Sequence, residues 1–414
     1  MATLRTLVRV LVVLAAVAAS GAFLRRPRGL KHTKPEFWMD SVQLARLQGY
    51  AMDMHRFFTS DGYEVALHHI VASKNGTLGG VPVLLGHGLA SCDEQWLARG
   101  ATALVYMLVE LGFDVWTVNY RGSFYSRGHK TLTSRHHDYW DFSWHENGVV
   151  DQAEAIDYVL QATGRQKLVV IGHSMSSTAQ VVLLAERPEY NDKVMGQVLL
   201  APPVNFEHST GALAYAGKVL LNLPGMKESG TENVQNDVFS GFEKPFPQSC
   251  YPDHSGVNPK LFPFCQRLIE FVLGKVHEPV DPYQMQMILH HYPAGSSIRQ
   301  IRHFSQCIAA GKFMQYDYGK ARNQALYGQD LPPEYNLTNI RTPTYLMYAL
   351  GDGSVNWKDV EIFGKLLSPG VLRKLHRLPP KDYCHVDFLI ARDAVELVYV
   401  PVIKYLEELR SGAS

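Results

Sequence analysis

Val169-Val170-Ile171-Gly172-His173-Ser174-Met175-Ser176-Ser177 reads as an apolar strand that runs into a cluster of small residues, with a helical pattern taking over at 178–186. A serine at the apex of such a strand-to-helix turn projects its hydroxyl clear of the sheet, the geometry of a nucleophile elbow. The turn is sharp, so its flanking residues must be small enough for the helix to pack against the strand. Gly172 meets that need, while Ser176 stands where the G-x-S-x-G pattern has its second glycine. The pentapeptide alone arises often by chance. The strand before Ser174 and the helix after it distinguish this serine from an ordinary turn residue.

Outward from the elbow, further valine- and leucine-rich runs lie at 81–85, 113–118, 194–200 and 344–348, with a less regular one at 372–378. Short apolar strands alternating with longer helical patterns predict an α/β fold, with a mostly parallel central sheet and helices on both faces. Between 204 and 333 the strand rhythm stops and proline, glycine and amphipathic segments take over. This interval reads as an inserted, mainly helical cap, dividing the core into 23–203 and 334–414. Within it, 213–223 and 261–273 carry apolar residues at helical spacing, suited to packing on the core or to touching lipid.

A serine nucleophile needs a base, a carboxylate to orient the base, and donors for the oxyanion. On this architecture the chain order is Ser, then Asp or Glu, then His, so the partners must lie beyond the insert. Asp352 follows the strand pattern at 344–348 through Ala349-Leu350-Gly351, at the carboxyl end of the sheet. Asp359 is its rival, read more simply as a solvated or capping residue of the next helical pattern. His385, in Asp382-Tyr383-Cys384-His385-Val386-Asp387-Phe388, lies past the last strand pattern and suits a general base. The backbone amides of Met175 and Leu89 are the expected oxyanion donors. Leu89 ends Leu84-Leu85-Gly86-His87-Gly88-Leu89, in which His87 reads as a satisfied core histidine. The pairs His68-His69, His136-His137 and His290-His291 lack carboxylates at metal-ligand spacing, so no metal is expected.

The chain of 414 residues has 40 Lys and Arg against 39 Asp and Glu, which gives no long-range field for nucleic acid. At its start, Arg5 and Arg9 precede an apolar run and the small residues Ser20, Gly21 and Ala22, a secretory signal pattern over 1–22. The run is short for a membrane anchor, and no later stretch is long and apolar enough to span a bilayer. Sequons at Asn75 and Asn336 fit passage through the secretory route. Five cysteines are spread too widely for a small disulfide scaffold, with Cys250 and Cys265 a candidate bridge.

The residues quoted above, with several others in order, resemble the acid lipase family, which includes gastric and lysosomal lipases. The likeness runs from about Gln48 to the end of the chain. Its markers are Gly62-Tyr63, His87-Gly88-Leu89-Ala90-Ser91, Asp114-Val115-Trp116, Tyr120-Arg121-Gly122, Tyr125-Ser126-Arg127, Tyr139-Trp140-Asp141-Phe142-Ser143-Trp144-His145-Glu146, Gly172-His173-Ser174, Gly311-Lys312-Phe313, Tyr316-Asp317-Tyr318-Gly319 and His385-Val386-Asp387-Phe388.

The resemblance implies an α/β-hydrolase core under a helical cap and no cofactor. It implies hydrolysis of triacylglycerols or cholesteryl esters at lipid–water interfaces by Ser174, Asp352 and His385. Asp352 stands at the family's distance before Asp359-Val360, and Leu89 and Met175 match its oxyanion positions. A secreted or lysosomal destination follows from the same likeness. Three departures stand out. Met175-Ser176 replaces the family's Gln-Gly, Gly351-Asp352-Gly353-Ser354 replaces its Leu-Ala-Asp run, and the cap cysteines are spaced more widely. Two other functions are open to these residues: an esterase for small soluble esters, and a catalytically silent lipid-binding protein on the same fold.

Overall fold

The computed structural model describes residues 39–72, 79–209, 284, 287 and 291–412. The signal segment 1–22, the Asn75 sequon, the helical patterns at 213–223 and 261–273, and the Cys250 and Cys265 pair lie outside the described residues. Within them, eight strands form one sheet in the order β1-β2-β4-β3-β5-β6-β7-β8. They are β1 (Ala51–Phe58), β2 (Glu64–Ala72), β3 (Pro82–Gly86), β4 (Asp114–Asn119), β5 (Leu168–His173), β6 (Val194–Leu200), β7 (Thr344–Tyr348) and β8 (Leu372–Arg377). From β4 to β8 every neighbouring pair is parallel, while β1 and β2 add an antiparallel edge.

The central strands are mostly apolar because both their faces are covered. Every residue of β3, β4, β5 and β7 is buried, which removes the polar alternation of a half-exposed strand. The helices that pack on the sheet include α1 (Ser41–Leu47) on β1, α2 (Leu104–Glu110) on β4, α3 (Ala153–Thr163) on β3 and α4 (Met175–Glu186) on β5. Later in the chain come α5 (Ile298–Ala310) and α6 (Lys320–Tyr327), both within the interval 204–333, and then α7 (Trp357–Leu366), α8 (Asp387–Ile390) and α9 (Val400–Gly412).

β1 and β2 were not among the strands expected from sequence. β1 turns Asp53, Met54 and Phe58 outward, so its apolar residues do not alternate cleanly. β2 carries two histidines among its apolar residues. His68 Nδ1 meets Asp93 Oδ2 at 2.6 Å and His69 Nε2 meets Asp114 Oδ1 at 2.6 Å. Carboxylates from elsewhere in the chain thus satisfy polar groups that break the strand signal in sequence.

The sheet order sets the position of the site. β3 lies between β4 and β5, so the chain runs to one side after β3 and returns on the other, and the carboxyl ends of strands at such a switch point leave a crevice. Gly86 ends β3 opposite Gly172 of β5. The turn after β3 and the elbow after β5 therefore emerge side by side, and the turn after β7 opens at the same edge.

Candidate active site

Ser174 holds φ +58° and ψ −122°, a conformation that costs a non-glycine residue of order 1–3 kcal/mol and persists only when its surroundings fix it. Its N–H donates to Leu200 O at 3.0 Å and its carbonyl accepts from Ser177 N at 2.9 Å. A Cβ at Gly172 would lie 2.8 Å from Ser177 N and 3.0 Å from Ser177 Cα, and one at Gly86 would lie 2.6 Å from Ser176 Cβ. The elbow is therefore closed to side chains at both glycines. α4 begins at Met175, three residues before the helical pattern in the sequence, because the small residues after the serine are already wound into its first turn.

Ser176 is accounted for by the same closure. Its Oγ accepts from His173 N at 2.8 Å and faces Gly86 O at 2.8 Å and His173 O at 3.0 Å. Where the common pattern has glycine, this hydroxyl ties the elbow to the end of β3.

The structure brings Ser174, His385 and Asp352 together. His385 Nε2 lies 2.8 Å from Ser174 Oγ, and His385 Nδ1 lies 2.8 Å from Asp352 Oδ2. The second carboxylate oxygen accepts from Ser354 N at 2.8 Å and Val355 N at 2.9 Å. With both oxygens engaged, the carboxylate is fixed in orientation and holds Nδ1 protonated, leaving Nε2 to accept the serine proton.

Asp359 is neither solvated nor a cap, contrary to the reading from sequence. It is 2% exposed, and its oxygens accept from His208 N at 2.9 Å, Asn205 Nδ2 at 3.3 Å and Ser209 Oγ at 3.2 Å. Its burial follows from the path of the chain after β6, since it fastens residues 205–209 to α7.

The oxyanion candidates emerge beside the serine. A Cβ on Gly88 would be 3.4 Å from Ser174 Cβ, so the turn carrying Leu89 passes directly against the elbow. Gln95 holds that turn by accepting from Gly88 N at 3.1 Å, and Ala90 takes φ +55° immediately after Leu89. The N–H groups of Leu89 and Met175 have no hydrogen-bond acceptor among the described residues. Met175 is buried, and its Sδ accepts from Gln300 Nε2 of α5 at 3.4 Å.

Two histidines beside the site are neutral supports. His87 Nδ1 donates to Gly88 O at 2.9 Å and its Nε2 accepts from Tyr120 N at 3.1 Å; burial pushes its pKa down to about 4. His173 donates from Nε2 to His385 O at 3.0 Å. Burial first, and then the neighbouring His385, lower its pKa to about 3. His173 thus braces the loop that carries the candidate base. Neither this role nor that of Gln95 is visible in the sequence, because each depends on a contact with a distant or irregular segment.

Ser174 and His385 open onto a cleft walled by apolar residues that include Leu89, Ala98, Met287, Phe304 and Leu389. Asn336 lies on the surface, where its Oδ1 accepts from Thr338 N at 3.1 Å and Thr338 Oγ1 at 2.6 Å.

Comparison with known proteins agrees with this geometry. Residues 41–100 match a partial alpha/beta-hydrolase lipase region, and residues 81–245 match the alpha/beta hydrolase fold. Lipase 1 of Drosophila melanogaster is 32% identical over 384 residues, covering 92% of this chain and 83% of its own. The chain belongs to the acid lipase family. Two mammalian relatives match over a similar span. Bovine gastric triacylglycerol lipase is 28% identical, covering 90% of this chain and 92% of its own. The lysosomal acid lipase/cholesteryl ester hydrolase of Macaca fascicularis is also 28% identical, covering 92% and 93%. Among solved structures, a bacterial membrane phospholipase A shares the fold, with TM-score 0.50 and 17% identity over 98% of this chain and 99% of its own. As an acid lipase family member, the chain is a serine ester hydrolase.

Proposed function

We propose that this acid lipase family member hydrolyses the carboxylic esters of neutral lipids, triacylglycerols and cholesteryl esters, at lipid–water interfaces. The observation that carries the reading is the relay from Asp352 through His385 to Ser174, with both hydrogen bonds at 2.8 Å, opening onto an apolar cleft. Ser174 Oγ attacks the ester carbonyl as His385 Nε2 takes its proton. The amides of Leu89 and Met175 stabilise the resulting oxyanion. His385 then gives the proton to the departing alcohol, and water, activated by the same histidine, releases the fatty acid.

The interval 204–333 serves as a cap over this cleft, consistent with Met287 and Phe304 lining it. A signal segment at 1–22 and glycan at Asn75 and Asn336 take the protein into the secretory route, to an extracellular or lysosomal destination. Among the described residues no helix is long and apolar enough to cross a membrane.

Fatty-acid release from emulsified triolein and cholesteryl oleate, measured from acid to neutral pH, tests the reading. Release by the unmutated protein and its loss in Ser174→Ala are the expected results. Folded protein that releases nothing from either emulsion but cleaves short soluble esters would replace the lipase reading with a small-ester hydrolase. Inactivity on both would leave a lipid-binding protein.

A further inference from the structure

One charged group in the cleft has no part in the mechanism above. Glu94 is 5% exposed and sits on the turn Asp93–Trp96, directly before Gln95, which holds the Gly88 amide. A carboxylate in an apolar wall is costly unless it is paired and hydrogen-bonded. Here it is both. Tyr125 donates its hydroxyl to Oε1, the Cys92 thiol lies 3.2 Å from Oε2, and His291 Nδ1 lies 2.5 Å from Oε2.

His291 belongs to the interval 204–333, in the segment that leads into α5. That segment is docked on the oxyanion turn, since Ala294 N donates to Ala90 O at 2.7 Å. The ion pair therefore spans the cleft beside Leu89, with Glu94 on the core side and His291 on the cap side, and both side chains line the space that Ser174 faces.

Burial works against a charge on His291, but Glu94, with a smaller contribution from Asp93, more than offsets it and raises the imidazole pKa. Asp93 itself is engaged by His68, Thr117 and Ser41. A protonated imidazole donates from both nitrogens. Nδ1 is used by Glu94, whereas Nε2 is buried with no hydrogen-bond partner among the described residues. A charged donor left unpaired in such a place is expensive, and an acceptor oxygen on a bound substrate would relieve that cost.

We propose that His291, held in place by Glu94, is a specificity-determining residue that binds an oxygen of the ester's alcohol portion, favouring acylglycerols over esters whose alcohol portion is hydrocarbon. The inference rests on the reading of the cleft as an ester-hydrolysing site. A glycerol ester carries hydroxyl or carbonyl oxygens close to the scissile bond. A sterol or simple alkyl ester has no oxygen in its alcohol portion apart from that of the bond itself. A site built to hydrogen-bond such an oxygen discriminates strongly against a substrate that lacks it.

The test compares kcat/KM for dioleoylglycerol, cholesteryl oleate and ethyl oleate in one mixed-micelle system, for the unmutated protein, His291→Phe and Glu94→Gln. The ratio of dioleoylglycerol to ethyl oleate should fall by about tenfold or more in both variants, with the ratio to cholesteryl oleate falling alongside it. An unchanged ratio, including equal losses on all three esters, would overturn the proposal and leave the pair as a brace for the oxyanion turn. If the Phe variant loses all turnover, Glu94→Gln, nearly isosteric, reads the same ratio. Turnover of any of the three esters by the unmutated protein reports on the ester-hydrolase reading separately; turnover of none by folded protein would overturn both.

Discussion

Two aspartates seven positions apart meet very different demands. Asp352 gives one oxygen to His385 and the other to two backbone amides, while Asp359 gives both of its oxygens to residues 205–209. The first arrangement orients a base, and the second fastens a segment. Asp352→Asn should therefore lower kcat for ester hydrolysis by about 10³–10⁴-fold, because an amide can favour the wrong imidazole tautomer, with little change in thermal midpoint. Asp359→Asn should show the reverse pattern. Its kcat should stay within a few-fold, and stability should drop by about 1–3 kcal/mol as buried donors lose an acceptor. Kinetics and calorimetry on the two variants side by side check the assignment, and exchanged phenotypes would make Asp359 the acid.

At the scale of elements, the elbow joins β5 to α4 with no room to spare. A methyl group at residue 172 meets Ser177 backbone at 2.8 Å and 3.0 Å, so strand and helix must separate to admit it. Gly172→Ala should cost about 1–3 kcal/mol, as overpacking does, and should cut ester hydrolysis at least as strongly as it cuts stability, because Ser174 rides on the displaced turn. A variant with normal urea midpoint and normal turnover would show the elbow to be pliable. The same closeness explains what was legible in the sequence. β6 and β7 fall where the apolar runs place them, and β3 and β4 lie within one residue, because strands buried on both faces are mostly apolar. The elbow was legible because its turn geometry constrains the residues around it. β1 and β2 were not, since their polar positions are satisfied by Asp93 and Asp114 from elsewhere in the chain. The Glu94 and His291 pair was hidden for the same reason: 197 positions separate two residues that meet only in the folded chain.

Across the whole molecule, buried histidines divide into two groups with opposite effects on stability. His87 and His173 are held neutral, with pKa values of about 4 and 3. The unfolded chain, with histidine near 6.5, takes up those protons first as pH falls. Their contribution to stability is thus full above about pH 6.5 and is progressively lost toward each folded pKa, at about 1.4 kcal/mol per pH unit for each histidine. His68 and His291 have raised pKa values, despite burial, through Asp93 and Glu94 respectively. Their contribution is full below about pH 6.5 and is lost as pH rises through their folded pKa values. His87→Gln isolates one member of the first group, since the amide can still donate to Gly88 O and accept from Tyr120 N without titrating. Between pH 7 and pH 5, the stability change attributable to residue 87 should shrink by about 2 kcal/mol in that variant. Urea unfolding of both proteins at the two pH values measures the difference. Identical pH dependence would mean that the imidazole of residue 87 is not held neutral in the folded protein, and that the acid limb of stability is set elsewhere.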